Sequence, residues 1–253
     1  GVEVDGVARV VRGIRRVEQR EPGVAVAGLA RQTNGHRAWE GRRALKSTRR
    51  RSEGVSRADT PDARTVERLL DRAAAADGPA TRVWRPAPCV AFGPRDCRAS
   101  GYDRARSTAE RRGYALVERS VGGHAVAYTG RTVAFAVARP VTDRRHGLNS
   151  RYETARERLV AALADLGARV EAGEPPDSFC PGSYSVRAAT SGKVAGLAQR
   201  VRADAAAVTG CVLVDDRVAQ REILTPVYRA LSVPFDPASV GDLAAAGGDC
   251  GPA

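Results

Sequence analysis

Arg119, Gly122 and Gly123 lie in a segment, residues 118–128, whose residue types could hold an anionic group. Paired glycines let the main chain approach a ligand closely and expose N–H groups, and an arginine can meet a carboxylate or phosphate with two parallel hydrogen bonds. A Gly-Gly pair after a strand also serves as a tight hairpin turn. The segment by itself therefore leaves both an anion cradle and a simple turn open.

Lys193 lies in a second such segment, residues 191–200, between Gly192 and Gly196. Only two of the 41 basic residues are lysine, and the other is Lys46. A compact ammonium can donate to an acyl or phosphate oxygen where a wide guanidinium would not fit. A solvent-facing turn lysine is the alternative, but the flanking glycines would let the backbone press the ammonium toward a bound acyl group. Lys193 is therefore the candidate catalytic residue, with the two glycines as binding residues.

The order and spacing of these segments resemble those of one superfamily. Over residues 62–231, the chain is similar to lipoate-protein ligase catalytic domains of the biotin/lipoate protein ligase and octanoyltransferase superfamily. The resemblance rests on two stretches, Arg119-Ser120-Val121-Gly122-Gly123 and Ser191-Gly192-Lys193-Val194-Ala195-Gly196 followed by Ala198-Gln199.

The resemblance implies an ATP-dependent ligase. Lipoate and ATP would give lipoyl-adenylate, which a specific lysine of a lipoyl carrier domain would then attack. Lys193 would contact the acyl carbonyl and the phosphate, Arg119 would hold the adenylate, and the turn at residues 122–123 would line the acyl tunnel. The strand residues expected to wall the acyl chain are Val126, Phe135 and Val137.

The same resemblance implies cosubstrates and partners. ATP and a magnesium ion are expected, with lipoate as the substrate, although no carboxylate cluster in the sequence identifies magnesium ligands or another metal site. The acceptors would be apo lipoyl carrier domains of 2-oxoacid dehydrogenases or the glycine cleavage H protein. The stretch after Leu231 is too short for the accessory domain of long ligases, so a separate accessory protein is a further candidate partner.

Cys180 offers a different chemistry. Some octanoyltransferases of the superfamily use a loop cysteine as an acyl-thioester nucleophile, and Cys180 lies in a Gly- and Pro-rich loop shortly before Lys193. The alternative function is therefore transfer of octanoyl from acyl carrier protein through a Cys180 thioester, without ATP. No base adjoins Cys180 in sequence, and Ser178 is the closer match to the family's cysteine position. His124, directly after the glycine pair, is interpreted as a polar turn residue.

The composition is that of a globular chain without membrane spans. Of 253 residues, 43% are apolar and 28% charged, and no window holds the roughly 18 to 20 apolar residues of a membrane helix. No apolar secretion segment follows the N-terminal arginines. Five cysteines without a CxxC pair argue for reduced thiols and against structural zinc. A cytoplasmic protein without a membrane partner is expected.

Positive charge is concentrated in residues 1–59, which hold 14 basic and 7 acidic residues of a chain with a net charge of +12. Scattered glycines and a single aromatic, Trp39, predict a basic, weakly ordered extension. A basic arm could bind nucleic acid, so a non-catalytic ligand- or nucleic-acid-binding module is the third function considered. Because no aromatic platform or nucleic-acid motif accompanies the arm, a nucleic-acid partner is not expected.

Sequence periodicity predicts an α+β fold, with a mixed, mainly antiparallel sheet flanked by helices, as in biotin/lipoate ligases. Several turns between strands are too short for parallel crossovers, which favours antiparallel pairing. The domain is expected to span residues 60–240 and to end in a flexible tail, residues 241–253. Helices are expected after Pro61 and near residues 103–112, 150–166 and 217–230, and strands near 81–85, 89–93, 114–119, 124–128, 131–138, 183–189, 192–200 and 206–214.

Overall fold

The structure is a computed structural model that describes residues 61–76, 78–119, 122–188 and 192–250. The basic extension predicted for residues 1–59 lies outside them. The helices of the described residues are α1 (Pro61–Ala75), α2 (Tyr102–Glu110), α3 (Leu148–Ala164) and α4 (Arg217–Leu231). The strands are β1 (Ala80–Trp84), β2 (Cys89–Phe92), β3 (Ala115–Glu118), β4 (Val126–Tyr128), β5 (Thr132–Pro140), β6 (Val170–Ala172), β7 (Val186–Ala188), β8 (Lys193–Val201) and β9 (Ala205–Leu213).

The larger sheet has six strands in the order β1-β5-β9-β8-β7-β6, and every neighbouring pair is antiparallel. Its centre is close-packed, because Gly210 of β9 lies between Phe135 of β5 and Leu197 of β8. A Cβ on Gly210 would come within 2.5 Å of the phenyl ring, so a side chain there would displace the aromatic. This packing fixes the register of β8, the strand that begins at Lys193.

The smaller sheet has three strands in the order β3-β2-β4. β2 and β3 are parallel, because α2 carries the chain back across the sheet between them, whereas β4 returns antiparallel to β2. The sheets are thus mixed and mainly antiparallel, and helices flank them. The predicted α+β fold class is confirmed.

Three clusters of buried side chains hold the helices on the sheets. Leu159 and Leu163 of α3 pack on one face of the larger sheet, and the apolar positions of α1 pack on the opposite face in a separate cluster. The cluster around the smaller sheet joins it to α2 and α4 and includes Tyr228 of α4. Phe179, from the loop before β7, is buried in that same cluster, so this loop is held against the smaller sheet.

The predicted flexible tail is wrong for residues 241–250. Leu243 and Ala246 are buried in the core under α3. The segment continues the hydrogen bonding of the sheet, since the Leu243 N–H donates to the Leu213 carbonyl at 2.9 Å and the Ala244 N–H to the Val214 carbonyl at 3.0 Å. A short Leu-Ala-Ala-Ala run carried too weak a pattern to predict this burial.

The helices of the described residues include none that is long and apolar enough to cross a membrane.

Candidate functional site

Lys193 points into the protein at the start of β8, and its side chain is only 2% exposed. Its Nζ donates to Glu174 Oε1 at 3.2 Å, to the Phe179 carbonyl at 3.1 Å and to the Cys180 carbonyl at 2.8 Å. An ammonium has three N–H donors, and all three have a protein acceptor here. The ammonium therefore holds the loop formed by residues 174–180, which we call the cysteine loop.

The charge of Lys193 is balanced inside the cysteine loop itself. Glu174 forms the ion pair with Nζ and also accepts a hydrogen bond from the Ser178 hydroxyl. The ammonium lies 5.0 Å from the centre of the Phe179 ring, which adds a cation–π contact. Ser178 is only 1% exposed. Its hydroxyl is thus a buried partner of a carboxylate.

Cys180 is fixed by both of its backbone polar groups. Its carbonyl accepts from Lys193, and its N–H donates to the Tyr228 hydroxyl at 2.7 Å. The same hydroxyl donates to the Ala125 carbonyl at 2.9 Å, and burial raises its pKa well above the usual value, so it stays protonated. Cys180 has a positive φ of 42°, a conformation that side-chain-bearing residues adopt rarely. Cys180 as a residue is half-buried, and its backbone is held in place.

Arg119 lies beside the Cys180 thiol. Its Nη2 donates to the His124 carbonyl and lies 3.9 Å from Cys180 Sγ. Burial disfavours the charge of the guanidinium, but the neighbouring Cys180 sulfur and Tyr128 hydroxyl favour it, and the net effect raises the pKa of Arg119. Its Nε is buried and has no partner in the described part of the chain. Arg119 therefore supplies a permanent positive charge next to a thiol.

Gly123 allows the glycine turn to touch the cysteine. It has a φ of +97°, and a Cβ on it would lie 2.6 Å from Cys180 Sγ and 3.7 Å from Arg119 Nη2. At Gly122 an added Cβ would meet nothing within 4 Å. The two glycines predicted from sequence therefore differ. Only Gly123 must be a glycine to leave room for the Cys180 sulfur.

The glycines around Lys193 have different functions. Gly192 packs against the segment before Leu243, where a Cβ would lie 2.2 Å from the Gly241 nitrogen. A Cβ on Gly196 would lie 3.4 Å from Lys193 Cε, an ordinary contact. Gly192 is thus needed for packing, and Gly196 leaves the lysine stem unobstructed.

The face of the larger sheet that carries Lys193 and Gly196 also carries Cys211. In the register of the sheet, Gly196 pairs with Cys211 and Cys211 with Ala134. Burial raises the pKa of the Cys211 thiol to about 11, and the charge of Lys193 acts against that rise. The residues next to Lys193 on this face are therefore small.

Two of the three predicted acyl-wall residues lie on the face of the larger sheet opposite Cys211. Side chains alternate along a strand, so Phe135, next to Ala134, points to the opposite face, and Val137 follows it. Phe135 is 4% exposed and belongs to the core under α3. Val126 of β4 is buried in the cluster that contains Phe179, against which Cys180 packs. Of the three, only Val126 belongs to the neighbourhood of the thiol.

His124 and Asp96 form a pair that the sequence analysis missed. The His124 Nδ1 lies 2.7 Å from Asp96 Oδ1, and Asp96 Oδ2 accepts from the Gly93 N–H at 3.0 Å. The His124 ring lies 6.3 Å from the Tyr228 ring, centre to centre. The two partners are 28 residues apart in sequence, and no local pattern connects them. The structure thus brings Arg119, Gly123, Cys180 and Lys193 together and adds an imidazole held by a carboxylate.

Comparison with known families agrees with this geometry. The model of the family "Lipoyl protein ligase A/B catalytic domain" matches residues 63–235. The family resemblance expected from the two glycine segments is confirmed.

Curated relatives are transferases that match part of their length. An Octanoyl-[GcvH]:protein N-octanoyltransferase of Geobacillus kaustophilus is 35% identical over 119 residues, which cover 47% of this chain and 42% of that protein. A Lipoyl-[GcvH]:protein N-lipoyltransferase of Listeria monocytogenes is 28% identical over 148 residues, covering 58% of this chain and 53% of that protein. The chain thus spans about half the length of the curated relatives it matches.

Solved structures share the fold. A lipoate-protein ligase A bound with ATP superposes with a TM-score of 0.56 at 23% identity, covering 71% of this chain and 69% of that one. Protein Ta0514 of T. acidophilum with bound lipoic acid gives a TM-score of 0.50 at 22% identity, covering 66% and 63%. At these identities the likeness concerns the architecture.

Proposed function

Because the chain belongs to the lipoyl protein ligase A/B catalytic domain family, we propose that it transfers an octanoyl or lipoyl group to a lysine of a lipoyl carrier domain through a thioester on Cys180. The observation that carries the proposal is the setting of Cys180. Both of its backbone polar groups are held, the residue is half-buried, and its sulfur lies 3.9 Å from Arg119 Nη2. A cation at this distance stabilises negative charge as it develops on a reacting sulfur.

The proposed reaction has two half-reactions. First, Cys180 sulfur attacks the acyl carbonyl of the donor, the bond from that carbonyl to the donor breaks, and the thiol proton leaves with the donor group. Second, the ε-amine of the carrier lysine attacks the thioester, an amide forms, and the thiol is regenerated. Both steps exchange one acyl bond for another, so neither consumes ATP. The names of the two curated relatives describe acyl transfers of this kind.

The contacts of Lys193 favour the transferase over the ligase. A lysine that binds an acyl-adenylate must direct a donor at the ligand, and the three donors of Lys193 are taken by the cysteine loop. The ligase mechanism would therefore require this loop to leave the ammonium. In the transferase, the same three bonds hold Cys180 in position. Lys193 is thus assigned to position the nucleophile.

A magnesium ion bound with ATP would be held by one or two carboxylates and the phosphates, and would not need a cluster of protein ligands. In the part of the chain that the structure describes, no group of three or more His, Cys, Asp and Glu side chains could hold a metal ion. The proposed reaction contains no step through a metal.

The deciding experiment compares acyl donors. The purified full chain is incubated with an apo lipoyl domain or apo H protein and one of three donors: octanoyl-acyl carrier protein, octanoyl-H protein, or lipoate with ATP and magnesium. Intact mass spectrometry follows both the acceptor and the chain. We expect an acylated acceptor with a carrier-bound donor in the absence of ATP, and a hydroxylamine-sensitive adduct on Cys180. Product only in the ATP tube would support the ligase instead, and no product in any tube would support the non-catalytic module.

Gly123→Ala is expected to lower acyl transfer about 100-fold. The methyl group would overlap Cys180 Sγ, and displacing a reacting atom by about 1 Å can cost a factor of this size. The positive φ adds roughly 1–2 kcal/mol of backbone strain. Initial rates of acceptor acylation measure the effect.

Gly122→Ala is the matched control, because its Cβ meets nothing within 4 Å. Equal losses in the two variants would mean that the turn needs flexible backbone rather than room for the sulfur.

A further inference from the structure

Tyr228 joins the two segments that meet at the Cys180 sulfur. Its hydroxyl accepts from the Cys180 N–H at 2.7 Å and donates to the Ala125 carbonyl at 2.9 Å. A backbone N–H only donates, so the single proton of the hydroxyl is the one given to the carbonyl. Because burial raises the pKa of Tyr228 well above its usual value, that proton stays in place. The phenol thus connects the cysteine loop to the start of β4 by two hydrogen bonds of fixed direction.

The tyrosine is itself held by the core of the domain. Tyr228 is 1% exposed, and its ring lies 4.8 Å from the Phe235 ring, centre to centre. About two turns earlier in α4, Gln220 Nε2 donates to the Ala127 carbonyl at 3.0 Å, so the helix also contacts β4 directly. A ring packed in a dense core has little freedom to move. Its hydroxyl is therefore a fixed point for the cysteine loop.

The backbone of Cys180 needs such a fixed point. Its φ of 42° is one that residues with a side chain rarely adopt, and a conformation of this kind persists only where the surroundings impose it. In this conformation the sulfur lies 3.9 Å from Arg119 Nη2 and so near Gly123 that an added Cβ would come within 2.6 Å of it. A bond to the Cys180 N–H acts directly on the rotation about the N–Cα bond. Without it, residue 180 is free to relax and to carry the sulfur away from both neighbours.

We propose that Tyr228 is a positioning residue for acyl transfer, whose hydroxyl holds the Cys180 sulfur beside Arg119 and Gly123. This inference rests on the proposed thioester. Tyr228 acts through the cysteine loop and not through contact with the acyl group or the carrier. Loss of the hydroxyl should therefore slow both half-reactions and leave the binding of the carrier proteins unchanged.

The first test uses Tyr228→Phe in the full chain, because this variant keeps the packed ring and removes only the hydroxyl. We expect formation and discharge of the Cys180 adduct to slow about 100-fold, with the KM for octanoyl-acyl carrier protein or octanoyl-H protein within about twofold of wild type. Tyr102→Phe is the matched control. Tyr102 packs against the same buried cluster, but its hydroxyl contacts Glu118 Oε1 at 2.8 Å, so this variant is expected to retain the full rate.

A second test asks whether Tyr228 and Gly123 act on the same atom. The added methyl of Gly123→Ala overlaps a sulfur that the Tyr228 hydroxyl holds in place. Once the hydroxyl is gone, the loop can move to relieve the overlap. The double variant is therefore expected to be about as slow as either single variant, whereas two independent defects would multiply to about 10⁴-fold.

Amide hydrogen exchange at the Cys180 N–H measures the bond without any acyl chemistry. Exchange is expected to be at least about tenfold faster in Tyr228→Phe than in the wild type, and unchanged in Tyr102→Phe. Wild-type transfer rates in Tyr228→Phe, a loss that lies in KM alone, or losses that multiply in the double variant would overturn the inference while the thioester proposal stands. If the wild-type chain forms no adduct on Cys180, the thioester proposal falls and this inference falls with it, whatever the exchange rates are.

Discussion

Replacing Cys180 with serine is expected to lower acyl transfer to the carrier lysine by at least about a thousandfold. The serine hydroxyl has nearly the size of the thiol but is far less acidic, so the neighbouring Arg119 cannot produce a useful nucleophile. The backbone bonds of residue 180 to Lys193 and Tyr228 do not involve the side chain and are retained. The free energy of unfolding should therefore change little. Acceptor acylation and urea unfolding are measured on the same preparation.

Two further variants establish that the position, and not just any thiol or hydroxyl, matters. Cys250→Ser changes a half-buried thiol whose sulfur contacts the Val214 carbonyl at 3.6 Å, a bond that serine can replace, and full activity is expected. Ser178→Ala removes the residue that the sequence resemblance matched to the family's cysteine position. Since its hydroxyl serves Glu174, a loss of only a few fold is expected. If Cys180→Ser remained active and Ser178→Ala did not, the nucleophile would have been assigned to the wrong residue.

The elements of this fold were predictable because they depend on local patterns. The helix predicted near 150–166 is observed at Leu148–Ala164, and the strand predicted near 192–200 at Lys193–Val201. Spacing of apolar residues and turn glycines is enough for such predictions. The same spacing shows which residues of a strand share a face. It does not show which of the two faces lies toward the site. Phe135 was assigned to the acyl wall for that reason, although it packs under α3.

The site was predictable only in part, because its decisive contacts join distant segments. Arg119, Gly123 and Lys193 could be selected from their types and spacing. His124 contacts Asp96, and Lys193 donates to the Cys180 carbonyl. Both contacts join segments that are distant in sequence, so no local pattern predicts them. The function that we propose for Lys193 differs from the one expected from the sequence for the same reason. Its burial was expected, but the acceptors that surround it come from the cysteine loop rather than being left free for a ligand.

Lys193→Met is expected to lower acyl transfer by about 100-fold and the free energy of unfolding by roughly 3 kcal/mol. Methionine has a similar length and fills the space of the stem, but it removes the donor of the Cys180 carbonyl. The Phe179 carbonyl and the Glu174 carboxylate keep only the Ser178 hydroxyl as a donor. The partly exposed carboxylate recovers some hydration, which limits the loss of stability. Urea unfolding and initial rates of acceptor acylation measure the two effects.

The double variant Lys193→Met with Glu174→Gln separates charge from anchoring. Removing the carboxylate charge eliminates the unpaired ion, so part of the lost stability should return. The Cys180 carbonyl is still without its donor, so the transfer rate should stay low. Stability and rate returning together would reduce Lys193 to an ion-pair partner of Glu174. A fully active Lys193→Met would remove it from the mechanism altogether. A low rate with recovered stability means that the ammonium acts through the position of the nucleophile, which the three bonds to the cysteine loop predict.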